Sequence, residues 1–451
     1  MHLSAVILAA GQGTRMRSAL PKVLHRLLGR AMVWYSLETA QKVTGVKPVL
    51  VIGHGAEQIR QEIGEAADFV LQESQLGTGH AVQQAEPLLK DKGGVVIVTY
   101  ADMPLLSDRT LKRMVEAHQT QPEPAITMLT LIDEEARGFG RVLRNAAGQV
   151  ESVVEEAEAT PDQLSIRELN AGVYCFTAGW LWPALSRIPI SSKGEYFLTD
   201  LVAIAAAEGL PVQSISTDNP GEALGINNRI HLAEAEAILR QRTNEAWMLS
   251  GVTLIDPLST YIETGVEIGP DTIIYPNTYL QGGTKIGQAC TIGPNSTLRD
   301  TRIGDRCTVF ASVAEKAVLE DDVDIGPFAH LRKGAHLARG VHMGNFGEVK
   351  NSYLGPGTKM GHFSYVGDTT TGEKVNIGAG TITCNYDGEK KSHTEIGAGA
   401  FIGSDTMLVA PVELGEGART GAGAVVTKDV PSYTLAVGVP ARAIRKLKRS
   451  G

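Results

Sequence analysis

Cysteine is scarce in this chain of 451 residues: Cys175, Cys290, Cys307 and Cys384 are far apart, and no two form a C-x-x-C pair. That spacing offers neither a zinc knuckle nor a disulfide framework, and it fits reduced thiols in the cytoplasm. Positive charge is also in deficit, with 42 Lys and Arg against 50 Asp and Glu and a formal net charge of −8. Nucleic-acid backbones demand a basic face, so no nucleic-acid partner is expected. The exception is the C-terminal cluster of Arg442, Arg445, Lys446, Lys448 and Arg449, which reads as a solvated tail or, more sharply, as a site for an anionic ligand. No uninterrupted apolar run is long enough to span a bilayer, so no membrane partner is expected. Residues 1–10 carry a short apolar stretch without a basic lead-in, which reads as a buried strand and not a signal peptide.

Aromatic residues make up only 5% of the chain while glycine reaches 50 residues, a balance that asks for tight, repeated turns. The length calls for two or three domains, and the pattern changes character near Ser250. Before it, strand-like runs at 5–9, 48–53 and 95–99 alternate with helix-like runs such as 32–42 and 111–118. That alternation predicts an α/β, Rossmann-like domain over 1–227, with a parallel sheet and ligands at the carboxyl ends of its strands. Residues 228–250 are rich in Ala, Glu, Leu and Arg, free of Gly and Pro until Gly251, and predict one long linker helix.

Residues 251–451 repeat every six. Ile268, Ile274, Leu280, Ile286, Ile292 and Leu298 form one run. Ile325, Leu331, Leu337, Met343 and Val349 form another, and Ile396, Ile402, Leu408, Leu414, Thr420 and Val426 a third. Neither a helical nor a simple strand period produces this spacing. One inward apolar residue per short strand, with a turn to the next, gives a triangular coil of three hexads, stacked at about the inter-strand spacing of ~4.8 Å. The pattern resembles the left-handed hexapeptide-repeat parallel β-helix, whose flat faces usually pack as trimers.

Two groups of residues carry chemistry. Leu8-Ala9-Ala10-Gly11-Gln12-Gly13-Thr14-Arg15-Met16 follows the first strand, with Pro21-Lys22 shortly after. Such a glycine loop brings backbone N–H groups close to phosphate, and Arg15 and Lys22 can neutralise charge that builds during phosphoryl transfer. The strand through Tyr100 and Ala101 ends in Asp102, the expected place for a Mg²⁺ ligand. Gln72 and the loop Gln75-Leu76-Gly77-Thr78-Gly79-His80 suit the reading of a base edge. In the repeat half, Arg332 and Lys350 each follow an inward position and lie 18 apart, one above the other on neighbouring coils. Stacked cations call for an anion, either a sugar phosphate or a neighbouring chain's carboxylate. The repeat shortens to five at Val349–Leu354; following it through, Glu348 and Tyr365 precede inward positions one coil apart. His362 falls two after Met360, in the column of Ser404 and Ala422. A histidine beside the Glu348 carboxylate is a fitting general base for an amine. Between Thr383 and Ile396 the hexads are interrupted, so a loop containing Asn385 and Tyr386 must leave the coil.

The N-terminal string resembles the sugar-1-phosphate nucleotidyltransferases. With the repeats attached, almost the whole chain is similar to the bifunctional N-acetylglucosamine-1-phosphate uridyltransferase/glucosamine-1-phosphate acetyltransferases, which supply UDP-N-acetylglucosamine for peptidoglycan and cell-wall synthesis. The resemblance implies that Leu8, Ala9, Ala10, Gly11, Gln72, Gly77, Thr78, Tyr100 and Ala101 hold uridine and Lys22 the phosphates of UTP. It implies that Asp102 and Asn227 bind Mg²⁺, and that Gly140, Glu155 and Asn170 meet the N-acetylglucosamine part. In the second half it makes His362 the base. Arg332 and Lys350 then hold the phosphate, and Tyr365, Asn376 and Asn385 position the sugar. Ala379, Asn385, Tyr386, Ser404 and Ala422 meet acetyl-coenzyme A between subunits of a homotrimer. The family usually has glycine at Ala101, tyrosine at Phe139 and arginine at Gly438; the first departure narrows room beside the ribose, and the last removes a grip on the coenzyme.

Two other readings compete. One is a nucleotidyltransferase of different base or sugar, with a divergent or inactive acyltransferase half. The other is a non-catalytic regulator like the nucleotide-exchange subunits of translation initiation; Lys22, Asp102 and His362 weigh against it, since a retired site need not keep them.

Overall fold

The computed structural model describes residues 2–133 and 138–446; Lys448 and Arg449 of the basic cluster lie outside them. The chain divides into two compact units, Met1–Leu239 and Arg240–Gly451, and the division falls within a single helix, Arg229–Leu249. That helix matches the Gly- and Pro-free stretch expected at 228–250.

The first unit is built on a nine-stranded sheet. Leu3–Ala9 lies between Val95–Tyr100 and Val49–Ile52, parallel to both, and Asp68–Leu71 extends the sheet beyond Val49–Ile52. The three inner strands are apolar on both faces, as expected where helices cover a sheet, whereas Asp68–Leu71 is a partly exposed edge. The sheet is not wholly parallel as expected. Glu168–Thr177 runs antiparallel between Val95–Tyr100 and Ile126–Ile132. It follows a hairpin, Gly140–Arg144 with Val150–Val154, and a single helical turn, Pro161–Leu164. Its register shifts between Asn170 and Tyr174, and this irregularity turns Asn170 toward the carboxyl ends of the parallel strands.

The second unit is a parallel β-helix of three long sheets. Each residue of the hexad runs is buried, from Ile268 to Val426, and successive coils are in register: Ile274 with Ile292, Leu280 with Leu298, Leu331 with Val349. Between the first two runs Ile292 registers with Val309, and Val309 with Ile325, so these coils are shorter than three full sixes. The slips are absorbed at the corners. There, Asp300, Ala311 and Lys316 take a positive φ, and the next residues, Thr301, Ser312 and Ala317, are buried. Inward corner threonines return their hydroxyls to turn carbonyls, Thr278 to Tyr275 at 2.8 Å and Thr406 to Gly403 at 2.7 Å, which satisfies these donors inside the apolar core.

The basic tail is a strand in its described part. Arg442–Lys446 pairs antiparallel with Thr434–Val437, closing an edge that the coil would otherwise leave open. Its side chains remain exposed.

Candidate active sites

At the carboxyl edge of the first sheet lies a cavity of about 1060 Å³. Of the expected residues of this half, Leu8, Ala9, Ala10, Gly11, Arg15, Lys22, Gln72, Gly77, Thr78, Tyr100, Asp102, Gly140, Glu155, Asn170 and Asn227 all line it. Ala101 does not. It is fully buried among core residues such as Ile97 and Met103, in the turn that follows the strand Val95–Tyr100. The expected crowding beside a ribose is therefore corrected: the Ala101 methyl faces the core. Phe139 does line the cavity.

The loop after the first strand places the cations. Gly13 has φ +62°, and a Cβ there would sit 2.6 Å from Lys22 Cβ; only glycine allows Lys22 to cross so close. The Lys22 ammonium bonds to Asp102 Oδ2 and lies 3.5 Å from Asn227 Oδ1. Arg15 donates to the same Asn227 oxygen at 2.9 Å. On the opposite wall Asn170 Nδ2 donates to the Tyr174 hydroxyl at 2.7 Å. Burial holds the Tyr174 and Tyr100 phenols well above the usual range, which keeps both neutral. Burial also pushes the Glu155 carboxyl up, and a bond from Thr199 opposes it. At the base-reading loop Gln72 Nε2 donates to the Gly77 carbonyl at 3.1 Å, and Gln75 Nε2 to the Ala10 carbonyl at 2.7 Å. Sequence reasoning missed Thr199, Phe197 and His231, which also line the cavity; none belongs to a glycine-rich or strand-end motif.

On the β-helix, Arg332 and Lys350 follow the registered pair Leu331 and Val349, so they point the same way on neighbouring coils. The anion beside Arg332 is Glu348 of its own chain, at 2.8 Å. This corrects the expected pairing of Glu348 with His362: Glu348 is opposite Tyr365 in register, and its hydrogen-bond partner is Arg332. Lys391, in the loop that leaves the coil, lies against Lys350 and holds its ammonium below the usual lysine range, with burial and Arg332 adding to the effect. Three cations thus converge where the sequence pointed to two. The loop is tied down by a bridge between Tyr386 and Lys391, and Asn385 donates to Asp368. A Cβ at Gly367 would meet both the Tyr365 hydroxyl and, at 2.8 Å, Asn385 Nδ2, so these two side chains gather over that glycine. Asn376 lies one residue before the inward Ile377, in register with Lys359.

His362 is exposed and has no hydrogen-bond partner among the described residues. It begins a column in which Ala379, Ser404 and Ala422 each fall two after an inward residue. Their backbones stack through Gly380 N to Phe363 O at 2.7 Å, Asp405 N to Ala379 O at 2.6 Å and Gly423 N to Ser404 O at 2.8 Å. Gly438 has φ +98°, a conformation an arginine would adopt only under strain.

Residues 5–189 match the MobA-like NTP transferase domain, and residues 265–300 and 393–428 match the bacterial transferase hexapeptide family of six repeats. The chain is 48% identical over 435 residues to the bifunctional protein GlmU of Heliobacterium modesticaldum, covering 96% of this chain and 95% of that one. It is 46% identical over 440 residues to the bifunctional protein GlmU of Pelobacter propionicus, covering 97% and 95%. With that of Geobacillus thermodenitrificans it shares 46% over 443 residues, covering 98% and 96%. The match runs through both units and both groups of chemistry-bearing residues, and the hexapeptide family brings with it the left-handed hand of the coil. The chain belongs to the family of bifunctional GlmU proteins.

Proposed function

We propose that this protein acetylates glucosamine 1-phosphate with acetyl-coenzyme A, and then transfers UMP from UTP to the resulting N-acetylglucosamine 1-phosphate, releasing pyrophosphate. The observation that carries this reading is the gathering of fifteen expected residues in one cavity, in a chain whose second unit carries a separate cluster of amine- and phosphate-directed groups.

In the first reaction His362 takes a proton from the substrate amine as nitrogen attacks the acetyl carbonyl. The N–C bond forms, the C–S bond breaks, and coenzyme A leaves as thiolate. Arg332, Lys350 and Lys391 hold the substrate phosphate, with Glu348 orienting Arg332. Tyr365, Asn376 and Asn385 position the sugar. Ala379, Tyr386, Ser404 and Ala422 form a shallow track for the coenzyme, with Asn385 at its edge.

In the second reaction a sugar-phosphate oxygen attacks the α-phosphorus of UTP, and the bond to the β-phosphate oxygen breaks in line. Gln72, Gly77 and Thr78 read uracil, and the backbone of residues 8–11 approaches the nucleotide. Gly140, Glu155 and Asn170 hold the sugar. Arg15 and Lys22 neutralise the charge that builds on the transferred and leaving phosphates. The Lys22 ammonium bonds to Asp102 and lies near Asn227, so a carboxylate and an amide oxygen converge on one cation-sized position, a donor set that suits Mg²⁺. Bound by Asp102 and Asn227, Mg²⁺ would supply charge neutralisation at the triphosphate.

A homotrimer is proposed through the β-helix. Phe328, Phe346 and Phe363 occupy equivalent corners of consecutive coils and are 57–60% exposed. A contiguous apolar edge of this kind beside His362 supports association there. The cytoplasm, which holds UTP and acetyl-coenzyme A, is the proposed location. A nucleotidyltransferase unit over 1–227, a linker helix over 228–250 and an acetyltransferase unit over 251–451 is the proposed functional division.

The test is to incubate the purified protein with glucosamine 1-phosphate, acetyl-coenzyme A, UTP and Mg²⁺ and to follow thiol and pyrophosphate separately. Release of both supports the reading, release of one splits it, and release of neither overturns it.

A further inference from the structure

Thr199 precedes the helix Asp200–Ala207 with helical backbone angles of its own, φ −59° and ψ −27°, so its hydroxyl is not placed to accept from a first-turn N–H. It makes no such cap bond. Its hydroxyl donates instead to Glu155 Oε1 at 3.0 Å. Both residues line the cavity, and Thr199 is 7% exposed, so water does not readily replace that bond. The other Glu155 oxygen has no hydrogen-bond partner among the described residues.

The segment that ends in Thr199 is anchored at its other end to the base-reading loop. Tyr196 N donates to the Leu76 carbonyl and Gly79 N to the Tyr196 carbonyl, each at 2.8 Å. Leu198 N donates to the Thr78 hydroxyl at 3.0 Å. Residues 196–199 therefore tie the nucleotide-facing loop to the Glu155 carboxylate.

We infer that Thr199 is a positioning residue, which orients the Glu155 carboxylate so that its free oxygen accepts from an N–H or O–H group of the sugar phosphate. The inference rests on the proposed uridylyl transfer. A carboxylate without the hydroxyl would rotate about its side-chain bonds and lose the orientation that recognition requires.

The variants are Thr199→Val, which keeps the shape and removes the donor, and Thr199→Ser, which restores it. In Thr199→Val the KM for N-acetylglucosamine 1-phosphate should rise about tenfold, with the KM for UTP and the release of thiol unchanged. Thr199→Ser should return the KM to within about twofold of the parent. In a Glu155→Gln background, Thr199→Val should add little further loss. A parent-like KM in Thr199→Val, an equal rise in the KM for UTP, or failure of serine to rescue would overturn the inference. Should Thr199→Val not fold, calorimetric binding of N-acetylglucosamine 1-phosphate to Thr199→Ser and Thr199→Ala decides it: serine should bind like the parent and alanine about tenfold more weakly, and equal binding would refute the role. A parent enzyme that releases no pyrophosphate with this sugar phosphate would defeat the proposed function and not the role of Thr199 alone.

Discussion

The Lys22 ammonium rests on the Asp102 carboxylate and lies 3.5 Å from Asn227 Oδ1, so a lysine occupies the position proposed for a divalent cation. Two cations cannot share one carboxylate without strong repulsion. Lys22 in this position weakens metal binding, and a triphosphate gives its ammonium somewhere else to go. In Lys22→Gln the ligand-free protein should bind Mn²⁺ roughly tenfold more tightly than the parent, read from the electron paramagnetic resonance of free Mn²⁺. The gain in Mn²⁺ affinity that UTP confers on the parent should shrink in the variant.

Asp102 and His362 belong to separate compact units, which separates their expected effects. Asp102→Ala should abolish pyrophosphate release by at least about a hundredfold and leave thiol release intact. His362→Ala should do the reverse. Loss of both activities from either change would contradict two independent sites.

Lys391 faces Lys350, and with Arg332 it outweighs the opposing Asp368 carboxylate, a repulsion that an anionic ligand would relieve. Lys391→Ala should raise the KM for glucosamine 1-phosphate by roughly ten- to a hundredfold, the worth of a charge-assisted hydrogen bond. Its kcat should change little, because Lys391 is proposed to contact the phosphate and neither the amine nor the attacked carbonyl. Steady-state thiol release checks both constants.

Gly13 tests the phosphate loop without removing a charge. Alanine there would need an unfavourable positive φ and would press on Lys22 Cβ. Gly13→Ala should lower uridylyl transfer by about a hundredfold, with acetyl transfer and the melting of the β-helix unchanged. Pyrophosphate release and a two-transition thermal melt would show it.

His118 gives the first unit a pH dependence of stability. It is fully buried, hydrogen bonded to the Thr127 and Thr177 hydroxyls at 2.9 and 3.1 Å, and burial lowers its pKa from 6.5 to about 4. The folded state binds its proton less readily than the unfolded chain. The contribution is therefore complete above pH 6.5 and is lost as pH falls toward 4, by on the order of 3 kcal/mol. Trp34, Trp180 and Trp182 lie in this unit, so tryptophan-monitored melts at pH 7.5 and 5 should show a lower midpoint at pH 5. His118→Asn should be less stable at pH 7.5 and less sensitive to the change.

The β-helix was legible because its rule is local. An inward residue every six positions identifies the core directly, and adding up coils places Arg332 over Lys350 and His362 in line with Ser404. The nucleotide cavity was legible for a related reason: its residues sit in glycine-rich loops and at strand ends, where backbone geometry dictates what faces a ligand.

Partner choice was decided only by the folded chain. Glu348 could have served His362 or Arg332, and proximity across two coils gave it to Arg332. Lys391 and Thr199 reach their sites on loops that follow no period, and the antiparallel course of Glu168–Thr177 depends on how a hairpin packs against the sheet. Periodicity specifies which side chains are buried because burial depends on backbone direction alone. Which polar groups meet depends on competition among neighbours brought together from distant parts of the chain, and that competition is resolved in three dimensions.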